Sequence, residues 1–95
     1  MKIEIQSIHF TPDSSLLDFV NKKVKKLSQL DYSLINSDVF LKIDKPESPD
    51  NKIAEIRIHS SRGEYFAKKK CGTFEESVDL SIQALRKQLL KSKGK

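Results

Sequence analysis

Closely spaced amines are the main chemistry this chain offers: fixed positive charge, available to a polyanion. Lys22, Lys23, Lys25 and Lys26 form one cluster, Arg62, Lys68, Lys69 and Lys70 a second, and Arg86, Lys87, Lys91, Lys93 and Lys95 a third. These stretches hold most of the 18 basic residues, against 13 acids and a net charge of +5. The acids scatter over turns and helix starts. A basic surface concentrated in this way is what nucleic acid selects for.

Other chemistries lack their residues. His9 and His59 fall on different strands with no His or Cys at ligand spacing, so no metal centre is expected. Ser60-Ser61-Arg62-Gly63 is a turn; a nucleophile elbow would need glycine two residues before and after the serine. The isolated Gly63, Gly72 and Gly94 make no phosphate-cradling loop. Asp44, Glu47 and Asp50 share a loop without the glycine and closing glutamate of a calcium site. Cys71 is the one cysteine, so an internal disulfide is impossible. Enzyme activity, cofactor and small-molecule substrate are therefore not expected. No apolar run approaches the ~20 residues of a membrane span. Met1-Lys2-Ile3-Glu4-Ile5 alternates like a strand and not like a signal peptide, which points to a cytoplasmic protein with no membrane partner.

The elements that must position the amines follow from periodicity. A first strand spans residues 2–9; Ile3 and Ile5 share a face that Ile8 and Phe10 leave, implying a bulge or strand end near Gln6-Ser7. Thr11 as cap and Pro12 as first residue open a helix over residues 12–30. Its apolar stripe is Leu16, Phe19, Val20, Val24, Leu27 and Leu30. A strand over residues 38–44 turns Val39, Leu41 and Ile43 inward; the polar loop 45–51 follows. In the strand over residues 52–60, Ala54, Ile56 and Ile58 oppose Glu55, Arg57 and His59, so one sheet face is covered and the other wet. A fourth strand covers residues 64–71; Tyr65 and Phe66 alternate on it, one in the core and one half exposed. Thr73 and Glu76 form a capping box for a second helix with Val78, Ile82, Leu85 and Leu89 buried.

The expected fold is therefore α+β in two layers, β-α-β-β-β-α: one domain over residues 1–95 with both helices on one face of a four-stranded sheet. Its last five elements follow the order of a double-stranded-RNA-binding domain reached through an extra N-terminal strand. The first two strands should be parallel and the last three an antiparallel meander. Side-by-side helices would set Lys22, Lys25 and Lys26 facing Lys87 and Lys91 across a positive ridge or groove. Dipole compensation accounts for part of the charge closing the second helix, but not for five cations in the ten residues 86–95. With few aromatics for base stacking, recognition of folded RNA through backbone and shape is favoured. The candidate RNA-binding residues are Lys22, Lys23, Lys25, Lys26, Lys68, Lys70, Arg86, Lys87, Lys91 and Lys93.

Phe10-Thr11-Pro12, the pattern Val20…Lys23-Val24…Lys26-Leu27, and Leu85-Arg86-Lys87-Gln88-Leu89-Leu90-Lys91-Ser92-Lys93 resemble the ribosome hibernation-promoting factor family, with its ribosome-associated translation inhibitors. The resemblance runs the whole chain. It implies binding to small-subunit (16S-type) ribosomal RNA between head and body, where messenger RNA and tRNAs would lie, and inhibition of translation under stress or in stationary phase. It matches Lys23, Lys26, Lys87, Gln88, Lys91 and Lys93 to family positions; Lys22, Lys25 and Arg86 are additional. Thr73-Phe74-Glu75-Glu76-Ser77-Val78-Asp79 departs from an Asp-Met-Tyr-Ala-Ala-Ile-Asp-like run, Glu75 replacing an aromatic. The chain looks like a short form lacking a C-terminal dimerisation domain, and a monomer off the ribosome. The alternative, left open by the residues, is a generic structured-RNA binder acting elsewhere.

Overall fold

A computed structural model describes residues 1–93; Gly94, Lys95 and the side chain of Lys93 lie outside the description. The elements are β1 (Lys2–Ile8), α1 (Ser14–Leu30), β2 (Leu34–Ile43), β3 (Lys52–Ser60), β4 (Gly63–Cys71) and α2 (Phe74–Lys93). They form one four-stranded sheet of order β1-β2-β3-β4, with β1–β2 parallel and the other pairs antiparallel. The expected β-α-β-β-β-α α+β architecture is the one found.

Both helices cover the same sheet face. Leu16, Val20, Val24 and Leu27 of α1 and Val78, Leu85 and Leu89 of α2 join Val39, Leu41, Ala54, Ile56, Ile58 and Ala67 in one buried cluster. Ala54, Ile56 and Ile58 of β3 are buried, while Arg57 between them is exposed, so the opposite face is open. Burying each large aliphatic side chain contributes roughly 1.5–3 kcal/mol, which makes this layer the main source of stability.

Several boundaries differ from expectation. The first helix is capped by Asp13, whose Oδ1 accepts from Leu16 N–H at 2.8 Å; Thr11 and Pro12 precede it. Aspartate and threonine are both good caps, so sequence could not rank the two. No bulge interrupts β1, which pairs in unbroken register from Lys2↔Asn36 to Ile8↔Lys42. The phase change falls instead at His9, whose φ of 70° reverses the chain, and Phe10 then stacks on Phe74 at 4.7 Å between centroids. Strand β2 starts at Leu34, four residues early, through a register shift between Leu34 and Asn36. The polar residues Asn36 and Ser37 had concealed this extension.

Helix α2 opens as foreseen, with Thr73 Oγ1 accepting from Glu76 N–H at 3.1 Å. Its buried face also includes Phe74, Ser77 and Ser81, which the apolar stripe had not named, while Ile82 is only partly buried. Ser77 Oγ donates to the Lys52 carbonyl at 2.5 Å and Ser81 Oγ to the Ala54 carbonyl at 3.5 Å. Small side chains here let α2 approach β3 closely. At the first residue of β4, Gly63 has φ 142°, a conformation that side chains with Cβ rarely adopt.

Candidate nucleic-acid interface

Strand directions fix how the two helices lie. Strand β4 runs parallel to β2, and each helix returns antiparallel to the strand before it, so α1 and α2 point the same way. Contacts agree: Lys23 Nζ meets Asp79 Oδ1 at 2.9 Å. Further along, Lys26, Gln29 and Leu30 share a groove of about 430 Å³ with Ile82, Gln83 and Arg86. The acidic first turn of α2, Glu75 and Glu76, thus sits at one end of the layer, beside the start of α1.

Lys22 and Lys25 are exposed on the outward side of α1 and border a pocket against Met1 and Ile3 of the β1 edge. Lys26 and Arg86 flank the interhelical groove. Lys87 is exposed outward on α2, and Lys91 lies on its β4 side with Tyr65, Gln88 and Ser92. The cations therefore form a band across the helical layer. The facing expected between Lys22, Lys25 and Lys26 and the pair Lys87 and Lys91 is corrected: the cation of α2 that meets Lys26 across the groove is Arg86. At a helical advance of 100° per residue, Lys87 and Lys91 turn progressively away from it.

Lys23 is held differently from its neighbours. Besides Asp79, its ammonium stands 5.5 Å from the centroid of the Phe19 ring. It ties α1 to α2. Lys93 closes α2, with its side chain outside the described residues.

Lys68 and Lys70 do not join the band. The register Ile56↔Ala67 places alternate β4 residues Tyr65, Ala67 and Lys69 on the helical side of the sheet, with Lys69 exposed beyond the helices, and Phe66, Lys68 and Lys70 on the open face. There, cross-strand rows run Glu4–Asp38–Arg57–Phe66 and Gln6–Phe40–Glu55–Lys68. Charge on this face is largely neutralised in pairs: Lys2–Glu4 at 3.3 Å, Lys42–Glu55 at 2.6 Å and Lys70–Asp44 at 2.8 Å. His59 lies between Asp38 at 3.3 Å and Glu64 at 2.8 Å. The Lys70 ammonium holds the Asp44 carboxyl below its ordinary pKa. Arg57 lies over the Phe66 ring at 5.6 Å. Tyr65, by contrast, packs on the core and donates its hydroxyl to Ser92 Oγ at 3.0 Å. One aromatic in and one out is the expected division.

The helical band is the reverse. Among the described residues, Lys22, Lys25, Lys26, Arg86, Lys87 and Lys91 have no carboxylate partner within ion-pair distance. Sequence had placed these cations on two helices; that the sheet's other face is charge-compensated required the strand register.

Residues 3–95 match the model of the sigma 54 modulation protein / S30EA ribosomal protein family. The chain belongs to this family. It is one of ribosome-associated inhibitors and hibernation factors that bind the ribosome without catalysing a reaction. No curated protein sequence matches it. Among solved structures, a ribosomal subunit interface protein from Coxiella burnetii is 21% identical, with a TM-score of 0.88 and 100% of both chains covered. The N-terminal domain of Protein Y from Thermus thermophilus is 18% identical, with a TM-score of 0.80 over 94% of this chain and 96% of that one. At these identities the two share the fold of this family member. Where the family's aromatic is replaced, Glu75 is exposed at the start of α2, while Phe74 fills the packing position against Phe10. No helix among the described residues is long and apolar enough to cross a membrane.

Proposed function

We propose that this protein is a bacterial ribosome hibernation factor, cytoplasmic and monomeric off the ribosome. Its helical layer docks on ribosomal RNA of the small subunit at the messenger RNA and tRNA decoding channel, blocking translation under stress or in stationary phase. The supporting observation is the band of unpartnered cations across α1 and α2, set against an open face whose charges are largely paired. A phosphate-rich partner gains most from amines that need not give up an existing carboxylate. The C. burnetii protein of the same fold is described as a subunit interface protein, which agrees with this placement. Side chains here need only bind; blocking follows from occupancy.

The test compares two quadruple variants of equal net charge. Lys22, Lys26, Arg86 and Lys87 are replaced by Gln in one, and Lys2, Lys42, Lys68 and Lys70 on the open face in the other. Each lost phosphate contact lowers the slope of log affinity against log salt by roughly one. The helical variant is expected to lose small-subunit co-sedimentation and translation inhibition by orders of magnitude while remaining folded by circular dichroism. The open-face variant should stay close to the parent. Equal losses would mean that charge acts only through long-range attraction, and the docking face would be wrong.

A further inference from the structure

The C-terminal ends of both helices, the α1–β2 turn and the β3–β4 turn gather at one end of the molecule, where α2 carries Lys91 and the β3–β4 turn Arg62. Tyr32, in the α1–β2 turn, is 94% exposed there, and its ring has no partner among the described residues. A tyrosine this bare contributes nothing to the core, yet the turn carrying it is tightly built. Buried Asp31 accepts at Oδ1 from Ser33 N–H at 2.9 Å and Ser33 Oγ–H at 2.6 Å, and at Oδ2 from Arg62 Nη2 at 2.7 Å. Ser61 N–H donates to the Ser33 carbonyl at 3.0 Å, fastening the turn to the sheet. The residues on both sides of Tyr32 are thus fixed, and the ring is presented to solvent from a braced base.

We propose that Tyr32 is a nucleobase-stacking post, taking one unpaired base of the RNA whose phosphates the helical band holds; this rests on the RNA-docking reading above. Every base has a π face, so an exposed ring beside a cationic surface can stack on one without reading its identity. Arg62 completes the subsite. It spends one nitrogen on Asp31, its side chain is 45% exposed, and the rest of its planar fork can donate to the flanking phosphate. Preorganisation matters because the stacking partner pays less entropy when the post is already in place.

The experiment measures affinity for purified bacterial small ribosomal subunits across a salt series, using Tyr32→Phe, Tyr32→Trp, Tyr32→Leu and Tyr32→Ala. Stacking predicts that Ala and Leu weaken binding about 5- to 150-fold while Phe and Trp hold it near the parent. The salt slope should be unchanged in all four, because no phosphate contact is removed. Parent-like binding by Tyr32→Ala with the steep salt slope intact would overturn the post and leave the docking face standing. Parent-like binding by Tyr32→Leu would also overturn it, marking an ordinary apolar contact with protein. A flat salt response in the parent would overturn the RNA reading, and the post with it.

Discussion

Lys23 of α1 and Asp79 of α2 form an ion pair at 2.9 Å inside the band where the neighbouring cations have no such partner. The pair joins the two helices and places one carboxylate close to where phosphates would lie. Both side chains are partly exposed, so the pair stabilises the fold by only about 0.2–1 kcal/mol.

Asp79→Asn should therefore separate binding from stability. Removing the carboxylate frees the Lys23 ammonium and deletes a repulsion, so small-subunit affinity should rise by roughly three- to tenfold at low salt. The thermal midpoint should fall by no more than about 4–8 °C. Lys23→Gln should cost similar stability and less binding than Lys26→Gln. Titration with small subunits beside a melting curve decides it; weaker binding by Asp79→Asn would show that the ion pair must persist in the complex.

The helix start offers a second measurement. Asp13→Ala removes the oxygen that accepts from Leu16 N–H and should destabilise the protein by about 1 kcal/mol. Thr11→Ala lies ahead of the cap and should change stability by less than about 0.5 kcal/mol. Urea midpoints for both variants, at unchanged m value, check the assignment.

Most of the layer architecture could be read from apolar spacing, because Val20, Val24, Leu27, Leu85 and Leu89 carry it in both periodicity and burial. Less visible were features made by polar groups meeting across the chain. Asp31 and Arg62 look like unrelated turn residues until the fold brings them together. Ser77 and Ser81 look like surface serines until a strand carbonyl lies beneath them. The candidate cations were all visible, but not every face was: consecutive Lys68, Lys69 and Lys70 must put charge on both sides of a strand, and only the β4 register shows that Lys68 and Lys70 take the side away from the helices. Tyr32 gave no periodic signal, since a single exposed turn aromatic belongs to no stripe.

Acid should expose the role of Asp31. Hydrogen bonds from Ser33, first from its hydroxyl and also from its backbone N–H, together with Arg62, outweigh burial and hold the carboxyl below its ordinary value of about 3.9. A carboxyl with a depressed folded-state pKa stabilises the protein above its unfolded value and loses that contribution as pH falls through the folded one. The melting temperature should therefore decline below about pH 4. Asp31→Asn should be less stable at pH 7 by about 1–3 kcal/mol, and its deficit should shrink in acid. Melting curves from pH 7 down to about 2 test this; a deficit constant across the range would mean that Asp31 acts through shape alone.

The hydroxyls of Ser77 and Ser81 under α2 also act as a gauge. Their contacts with the Lys52 and Ala54 carbonyls set the height of α2 above the sheet. Because α1 rests on the same layer, that height governs the gap between Lys26 and Arg86. A bulkier residue at Ser81 would keep every cation and the full net charge, yet lever one rail of the track away from the other. The spacing of charge across the helical layer thus depends on two side chains that carry none.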